Sequence, residues 1–449
     1  MQAALDRSQL KVNTKTRLSA LDYLIFFFMF LSTLLIGADV IGINVGINLR
    51  LDQIFLVITT LLMILRNRYR LVKNKWIILF LILSLISVVS GFNVARGVLF
   101  YFSIVYNVVF IFYLYYNFLY YYGPRRFMKI FRSTMYFQFF LLLLQFGLIM
   151  AFNYEIPFMP SYGEFKGIHR FSLWFYEPSY FATYVSIWLC VSLYFFLIVN
   201  KKNYILDVIL SLIMLVISTS TSGFVAIAVT FVLIYLLWIL KSISIKKILF
   251  LVFIIVAIIA FRLIFSHLFD IFISRLFNSS LDSSTGGRVS MWFETYGVFK
   301  DNPWFGVGPG NYGLYLGFDT AYVPSNVTLD MMATLGIFAT IVFYALFLSL
   351  IYNALKVYKK GRKKFKMLPA FCLALFVFTL ILQVNQGYLR LYHWMLLGIL
   401  YGMTKYYSKA LKRQYILKKI YEKENIDKKT VWQLMKEEVF HYGRNYLQY

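Results

Sequence analysis

Charge is what this sequence has least of. Only 14% of its 449 residues are Asp, Glu, Lys or Arg, while 61% are hydrophobic and 20% aromatic. A soluble domain carries about 25% charged residues, so a water-soluble globular fold is excluded. Acids are the scarcer sign, 19 against 45 Lys and Arg. The resulting net charge of +26 does not point to nucleic acid, because the basic residues sit in short segments between apolar runs, as in the cytoplasmic loops of a membrane protein. Cysteine is nearly absent. Cys190 and Cys372 both lie inside apolar runs and read as small buried hydrophobes rather than disulfide or metal ligands. No His/Cys/Asp/Glu group has metal-site spacing. No Gly-Lys-Ser/Thr follows a glycine run, which excludes a P-loop. Ten-residue alternating segments are missing, which excludes a barrel. Internal repeats and low-complexity linkers are missing too, so the chain reads as one membrane domain.

What is abundant is long apolar runs. A spanning helix needs ~20 apolar residues, and the sequence predicts twelve, near 20–37, 51–65, 76–92, 97–121, 127–152, 179–199, 204–218, 223–240, 247–266, 326–353, 368–387 and 391–404. The expected fold is therefore an all-α polytopic membrane protein with a large extracytoplasmic loop between helices 9 and 10. The first run lacks a small-residue cleavage site and reads as a retained helix, not a signal peptide. With the N-terminus inside, 36 of the 45 Lys and Arg fall on the inner side and 9 on the outer. The acids Glu155, Glu164, Glu177, Asp270, Asp282, Glu294, Asp301 and Asp319 fall outside. The positive-inside rule fixes that orientation, with both termini cytoplasmic. Residues 1–404 form the expected transmembrane catalytic domain, with its outer loop at 267–325. Residues 405–449 alternate Lys and Arg with Tyr, Ile, Leu and Trp432, as in a basic amphipathic helix on an anionic leaflet.

Within this apolar chain Gly286 to Asn326 is a polar island, rich in glycine and proline and holding an arginine and several acids. The outer segment 267–325, which contains most of it, is too long to be a passive connector. Three outer patches are informative: Arg170 to Ala182 (RFSLWFYEPSYFA), Gly287 to Asn311 (GRVSMWFETYGVFKDNPWFGVGPGN) and Ser325 to Ile337 (SNVTLDMMATLGI). They resemble the O-antigen ligase and polymerase superfamily, which includes the Wzy-type polysaccharide polymerases. The first is similar to the family's arginine followed by a helix-opening Glu-Pro, the second to its arginine–tryptophan helix with a glycine-rich turn, and the third to its His-Asn helix start. Two departures stand out. Ser325 replaces the histidine and Ser222-Gly223 replaces a Ser-Arg. In the ligase branch that histidine is the base, so its replacement points toward polymerase.

The resemblance implies an inverting glycosyl transfer at the outer face of a bacterial plasma membrane, without metal or nucleotide cofactor. The donor would be a polyprenyl-pyrophosphate-linked oligosaccharide, and the product O-antigen, capsule or exopolysaccharide. Membrane lipid, a chain-length regulator and a flippase are the implied partners. A ligase using another acceptor, or a lipid-linked oligosaccharide flippase, is the alternative.

Arg288, Arg170 and Arg390 suit a pyrophosphate, since arginine is always charged and donates in pairs. Snorkelling to headgroups is the ordinary alternative, and Arg50, Arg96 and Arg262 are assigned to it. Glu177 before Pro178 is a candidate general base or a helix-start residue. His393, three residues after Arg390, would share its helical face, and His169 adjoins Arg170. Gly308 and Gly310, with Gly306 and Pro309, form a turn whose N–H groups would cradle phosphate or fold the loop back over the site. Asn311 and Asn326 are further substrate-binding candidates. Trp292, with Trp174, Trp304 and Tyr312, would stack on sugars.

Overall fold

The computed structural model describes residues 18–44, 48–159, 164–165, 168–242, 288–318, 324–361, 364–385 and 387–423, with scattered positions between 244 and 266. It is helical apart from two short hairpins. The order is α1 (Ala20–Leu34), β1 (Gly42–Asn44), β2 (Asn48–Arg50), α2 (Leu51–Leu65), α3 (Lys75–Val89), α4 (Val94–Tyr122), α5 (Pro124–Phe152), β3 (Glu164–Phe165), β4 (Ile168–His169), α6 (Pro178–Ile198), α7 (Ile205–Ile217) and α8 (Thr221–Lys241). Then follow α9 (Arg288–Asp301), α10 (Tyr312–Tyr315), α11 (Val327–Lys360), α12 (Met367–Leu382) and α13 (Leu391–Lys423). The hairpins β1–β2 and β3–β4 are antiparallel, and the hydropathy pattern gave no sign of either.

Helices lie at eleven of the twelve expected positions among the described residues. Five, namely α4, α5, α6, α8 and α11, are long and apolar enough to cross a membrane by length and composition. The ninth, expected near 247–266, falls largely outside the described residues, as do much of the 267–325 loop and the tail beyond Lys423. α13 runs from Leu391 to Lys423 without a break near residue 404, since no Gly or Pro lies between Gly402 and Lys423 to stop it.

Local signals explain the helix starts. Ser19 caps α1 in a reciprocal box with Asp22, Asn74 caps α3 and Asn93 caps α4, and Pro occupies the first turn of α5 and α6. These residues satisfy or remove the orphan N–H groups of a first turn.

α6 lies at the centre, buried almost all round against α7, α8 and α12. In lipid, apolar side chains gain little by leaving their surroundings, so close packing and interhelical hydrogen bonds decide the arrangement, each bond worth about 1 kcal/mol. Thr33 Oγ1 bonds Tyr115 Oη at 3.1 Å, Tyr184 Oη donates to Thr33 O at 2.9 Å, and Gln138 Nε2 donates to Leu34 O at 2.8 Å. α13 crosses α4 at Gly398 and Gly402. A Cβ added there would come within 2.4 Å of Phe112 O and 2.8 Å of Tyr116 O, so the Gly-xxx-Gly pair allows the two backbones to touch.

α11 breaks at Gly336, where φ is 78° and ψ 177°. A Cβ at that position would lie 2.1 Å from Trp304 O, so only glycine fits. The break exposes carbonyls that a continuous helix would use internally. The segment before α10 takes them up. Val307 N donates to Ala333 O at 2.9 Å and Gly308 N to Thr334 O at 3.0 Å, while Ile337 N donates to Pro303 O at 2.9 Å. Val298, Val307, Tyr312 and Ala333 close a small apolar cluster beneath α9. The interrupted helix is thus the mount that holds α9 in place.

Candidate functional site

Five separate segments bring polar groups together at one end of the bundle. Beyond α1 the chain turns at Gly37, whose N–H donates to Asp52 Oδ2 at 3.0 Å, and this sets Asp39 opposite the start of α2. Arg50 closes β2 and precedes α2. Its Nε and Nη2 bind Asp52 at 3.2 and 3.0 Å, and its Nη1 binds Asp39. The other oxygen of Asp39 accepts from Arg390 Nη1 at 3.1 Å. Arg390 lies 3.7 Å from the centroid of the Tyr180 ring, over its face, a cation–π contact. Tyr180 is in the first turn of α6, three residues after Glu177. Arg288, the first residue of α9, feels Glu177 and Tyr180 electrostatically. The cluster therefore contains Asp39, Arg50, Asp52, Glu177, Tyr180, Arg288 and Arg390.

The three arginines differ in environment. Burial pulls down the pKa of Arg50, but Asp52 and Asp39 overcome it and the net shift is upward. Burial also opposes the charge of Arg390, and Tyr180 and Asp39 again reverse it. At Arg288 burial wins. Its pKa is lowered, and Glu177 and Tyr180 offset only part of the loss. Among the described residues no carboxylate stands in ion-pair contact with Arg288. Three guanidiniums face three carboxylates (Asp39, Asp52 and Glu177), so the site is not a bare cationic well. Its uncompensated capacity for an anion resides at Arg288.

Arg390 is held by a loop fastened on several sides. Asp330, in the first turn of α11, lies close to the backbone of Tyr388. Asn107 Nδ2, in a π-helical turn of α4, donates to Leu389 O at 3.0 Å. Trp394 Nε1 donates to Tyr388 O at 3.0 Å. Asn385 Nδ2 reaches Ser179 O at 3.0 Å and Thr183 Oγ1 at 2.7 Å, tying the loop to α6. Ser179 Oγ in turn donates to Glu177 Oε2 at 2.8 Å, leaving the other carboxylate oxygen, Oε1, for a further partner. Such supporting bonds fix the reach of a reactive group.

Of the residues singled out in the sequence, Arg288, Glu177 and Arg390 meet. Arg170 follows the β3–β4 hairpin, half-buried. Trp292 is one turn along α9 from Arg288, half-buried, with an indole N–H that has no hydrogen-bond partner among the described residues. Asn326 caps α11, accepting from Thr328 N at 3.0 Å and Leu329 N at 2.9 Å, so its oxygen is already engaged. Ser325 Oγ beside it is buried without a hydrogen-bond partner among the described residues.

Several expectations are corrected. His393 does not join the site. It is fully buried, with Phe343 and Phe378 ring centroids at 5.3 and 5.6 Å. Helical spacing from Arg390 misleads here because α13 begins only at Leu391. The Gly308 N–H is not free to cradle phosphate, because it is used on Thr334 O, and the Gly310 carbonyl accepts from Arg96 Nε at 2.7 Å. Asn311 is buried, its amide donating to Asn93 O and Val307 O at 3.0 and 2.9 Å. This turn folds the loop back and fixes it. Trp174 and Tyr312 are buried and present no face to a sugar, whereas Trp304 is exposed and stacks on Phe338. Arg50, assigned to the interface, belongs to the cluster. Asp39, Asp52 and Tyr180 were missed. The signal was present, since Asp39, Arg50 and Asp52 crowd one short outer segment of a chain poor in charge.

No metal-holding group of three or more His, Cys, Asp or Glu occurs among the described residues. No curated protein matches the chain. Residues 206–344 match the O-antigen ligase family. The match takes in Arg288 with its glycine-rich turn and Ser325 to Ile337, and leaves Arg170 to Ala182 and Arg390 on either side. With its long apolar helices the chain is a multi-pass membrane protein, and its residues 206–344 are similar to the O-antigen ligase family, in keeping with the ligase and polymerase superfamily that the motifs resemble.

Proposed function

We propose that the protein is a polysaccharide polymerase that joins oligosaccharide repeat units carried on polyprenyl pyrophosphate, at the outer face of a bacterial plasma membrane. The observation that carries this reading is the convergence of Arg288 and Arg390 on Glu177 and Tyr180, with Arg288 lacking an ion-pair partner among the described residues.

In this scheme a hydroxyl of the incoming unit attacks C1 of the reducing-end sugar of the growing chain. The C1–O bond to pyrophosphate breaks, and the configuration at C1 inverts. Glu177 accepts the hydroxyl proton through the oxygen not held by Ser179. A base acting as the new bond forms contributes ~10²–10⁴-fold. The electron pair leaves with the pyrophosphate, and Arg288 and Arg390 meet the charge that develops there. Donors fixed in advance at that position are worth most in the transition state. Trp292, on the same side of α9 as Arg288, offers an aromatic face and an N–H to the sugar. Departure of the intact polyprenyl pyrophosphate from C1 drives the step without ATP. A flippase and a chain-length regulator are the partners such a polymerase would work with.

The family match bears the ligase name, so a ligase with the same donor chemistry and a different acceptor is the second reading. Purified protein reconstituted with the host's lipid pyrophosphate-linked repeat unit separates the readings. A ladder of multimers on a gel supports polymerase. Single units that become ladder-free conjugates only when another acceptor is added support ligase. Movement of intact units across the vesicle, with no new bond, identifies a flippase and overturns both.

A further inference from the structure

α11 and α13 run side by side in the same direction, with Phe343 level with His393 and Trp394. Near their C-terminal ends they part to form a cleft of about 650 Å³. Four lysines line it, Lys356 and Lys360 from α11 and Lys405 and Lys412 from α13. The floor is apolar, made by Leu350, Val357 and Leu411. Lys405 and Lys412 are 14 and 21 residues beyond Leu391, so they stand ~21 and ~31 Å along the helix from the arginine cluster. The hydrocarbon core of a bilayer is ~30 Å thick. With the arginines near one interface, the Lys412 end of the cleft stands level with the other.

Several basic residues elsewhere in the bundle are engaged by protein groups. Arg66 and Arg68 are paired with Asp22, and Arg132 with Asp207. Lys247 is held by the carbonyls of Trp238 and Ser242. The cleft contains no carboxylate in its lining, and among the described residues none of its lysines makes an ion pair. Lys356 and Lys405 merely lie 5.7 and 5.2 Å from the rings of Tyr352 and Tyr401. Four unpaired ammonium groups above an apolar floor match a phosphodiester headgroup with its first acyl carbons.

We infer that the cleft between the C-terminal parts of α11 and α13 is a binding site for an anionic phospholipid. A basic pocket between helices at a membrane surface recognises such headgroups, each Lys adding about 1 kcal/mol, which converts to roughly five-fold in occupancy per lysine.

The test uses the full chain in detergent micelles, titrated with phosphatidylglycerol or phosphatidylcholine and read by native mass spectrometry. Phosphatidylglycerol adducts should exceed phosphatidylcholine adducts by at least ten-fold. Changing Lys356, Lys360, Lys405 and Lys412 together to Gln should abolish that preference, while the same four changed to Arg should keep it. Gln at Lys73, Lys75, Lys201 and Lys202, outside the cleft, should leave it intact. Thermal melting of each variant reports folding, and if the Gln set does not fold, the Lys405→Gln and Lys412→Gln single changes should each lower adducts roughly five-fold. Equal adducts for the two lipids, or a preference surviving the Gln set, would overturn the proposal. So would displacement by millimolar inorganic phosphate, which would make the ligand a free anion.

Discussion

The two ends of the helix bundle use the same ionic groups to different effect. At one end Asp22 accepts from Arg66, Arg68, Tyr122 and Ser19, and Asp207 binds Arg132 and Tyr136. Each carboxylate there is saturated by its neighbours, and Asp22 joins α1 to the turn after α2. These are stitches between adjoining elements. At the other end Asp39, Arg50, Asp52, Glu177, Tyr180, Arg288 and Arg390 come from five segments up to 351 residues apart, and Arg288 has no ion-pair partner among the described residues. Pairing neighbouring helices does not require such reach. Saturation marks structure, and an incomplete charge balance held by supporting bonds marks a site.

The contrast can be broken by substitution. Arg390→Ala should have the largest effect, lowering the polymerisation rate about 10²–10³-fold, as expected for loss of a fixed transition-state donor. Rates on lipid-linked repeat units measure this. Asp39→Asn keeps shape but weakens the hold on Arg50 and Arg390, so the rate should fall roughly ten-fold, a loss of about 1.4 kcal/mol. At the saturated end the outcome should reverse. Asp22→Asn should lower stability by about 1–2 kcal/mol, since Arg66 and Arg68 are partly exposed and can turn to water, with activity at the wild-type level. Melting curves and rates taken on one preparation separate the two quantities. The smallest effect belongs to His393→Phe. Aromatic rings flank His393 and neither of its nitrogens has a partner among the described residues, so an apolar ring of similar size should keep activity within about two-fold and leave stability no lower.

The helices were legible in the sequence because long apolar runs admit few other readings. Glu177 and Arg288 were legible because an ion in a chain this poor in charge stands out. What was lost depends on tertiary contact. The bridge from Asp39 to Arg390 has no period that a sequence reveals, so Arg50 passed for an interfacial residue. The glycine-rich turn read either as a phosphate cradle or as a turn folding the loop back. The N–H groups of Val307 and Gly308 go to the carbonyls of Ala333 and Thr334, released by a break at Gly336 that lies unmarked within the apolar run ATLGIF. His393 was placed beside Arg390 by helical spacing, which does not apply to a residue that precedes the helix.

The most direct test of the account compares Arg288→Ala with Arg66→Ala in reconstituted vesicles, following multimer formation from the lipid-linked repeat unit alongside thermal melting. Loss of at least a hundred-fold in rate for Arg288→Ala with an unchanged melting temperature, against a full rate and a lowered melting temperature for Arg66→Ala, is the predicted result. A full-length ladder from Arg288→Ala at the wild-type rate would contradict it.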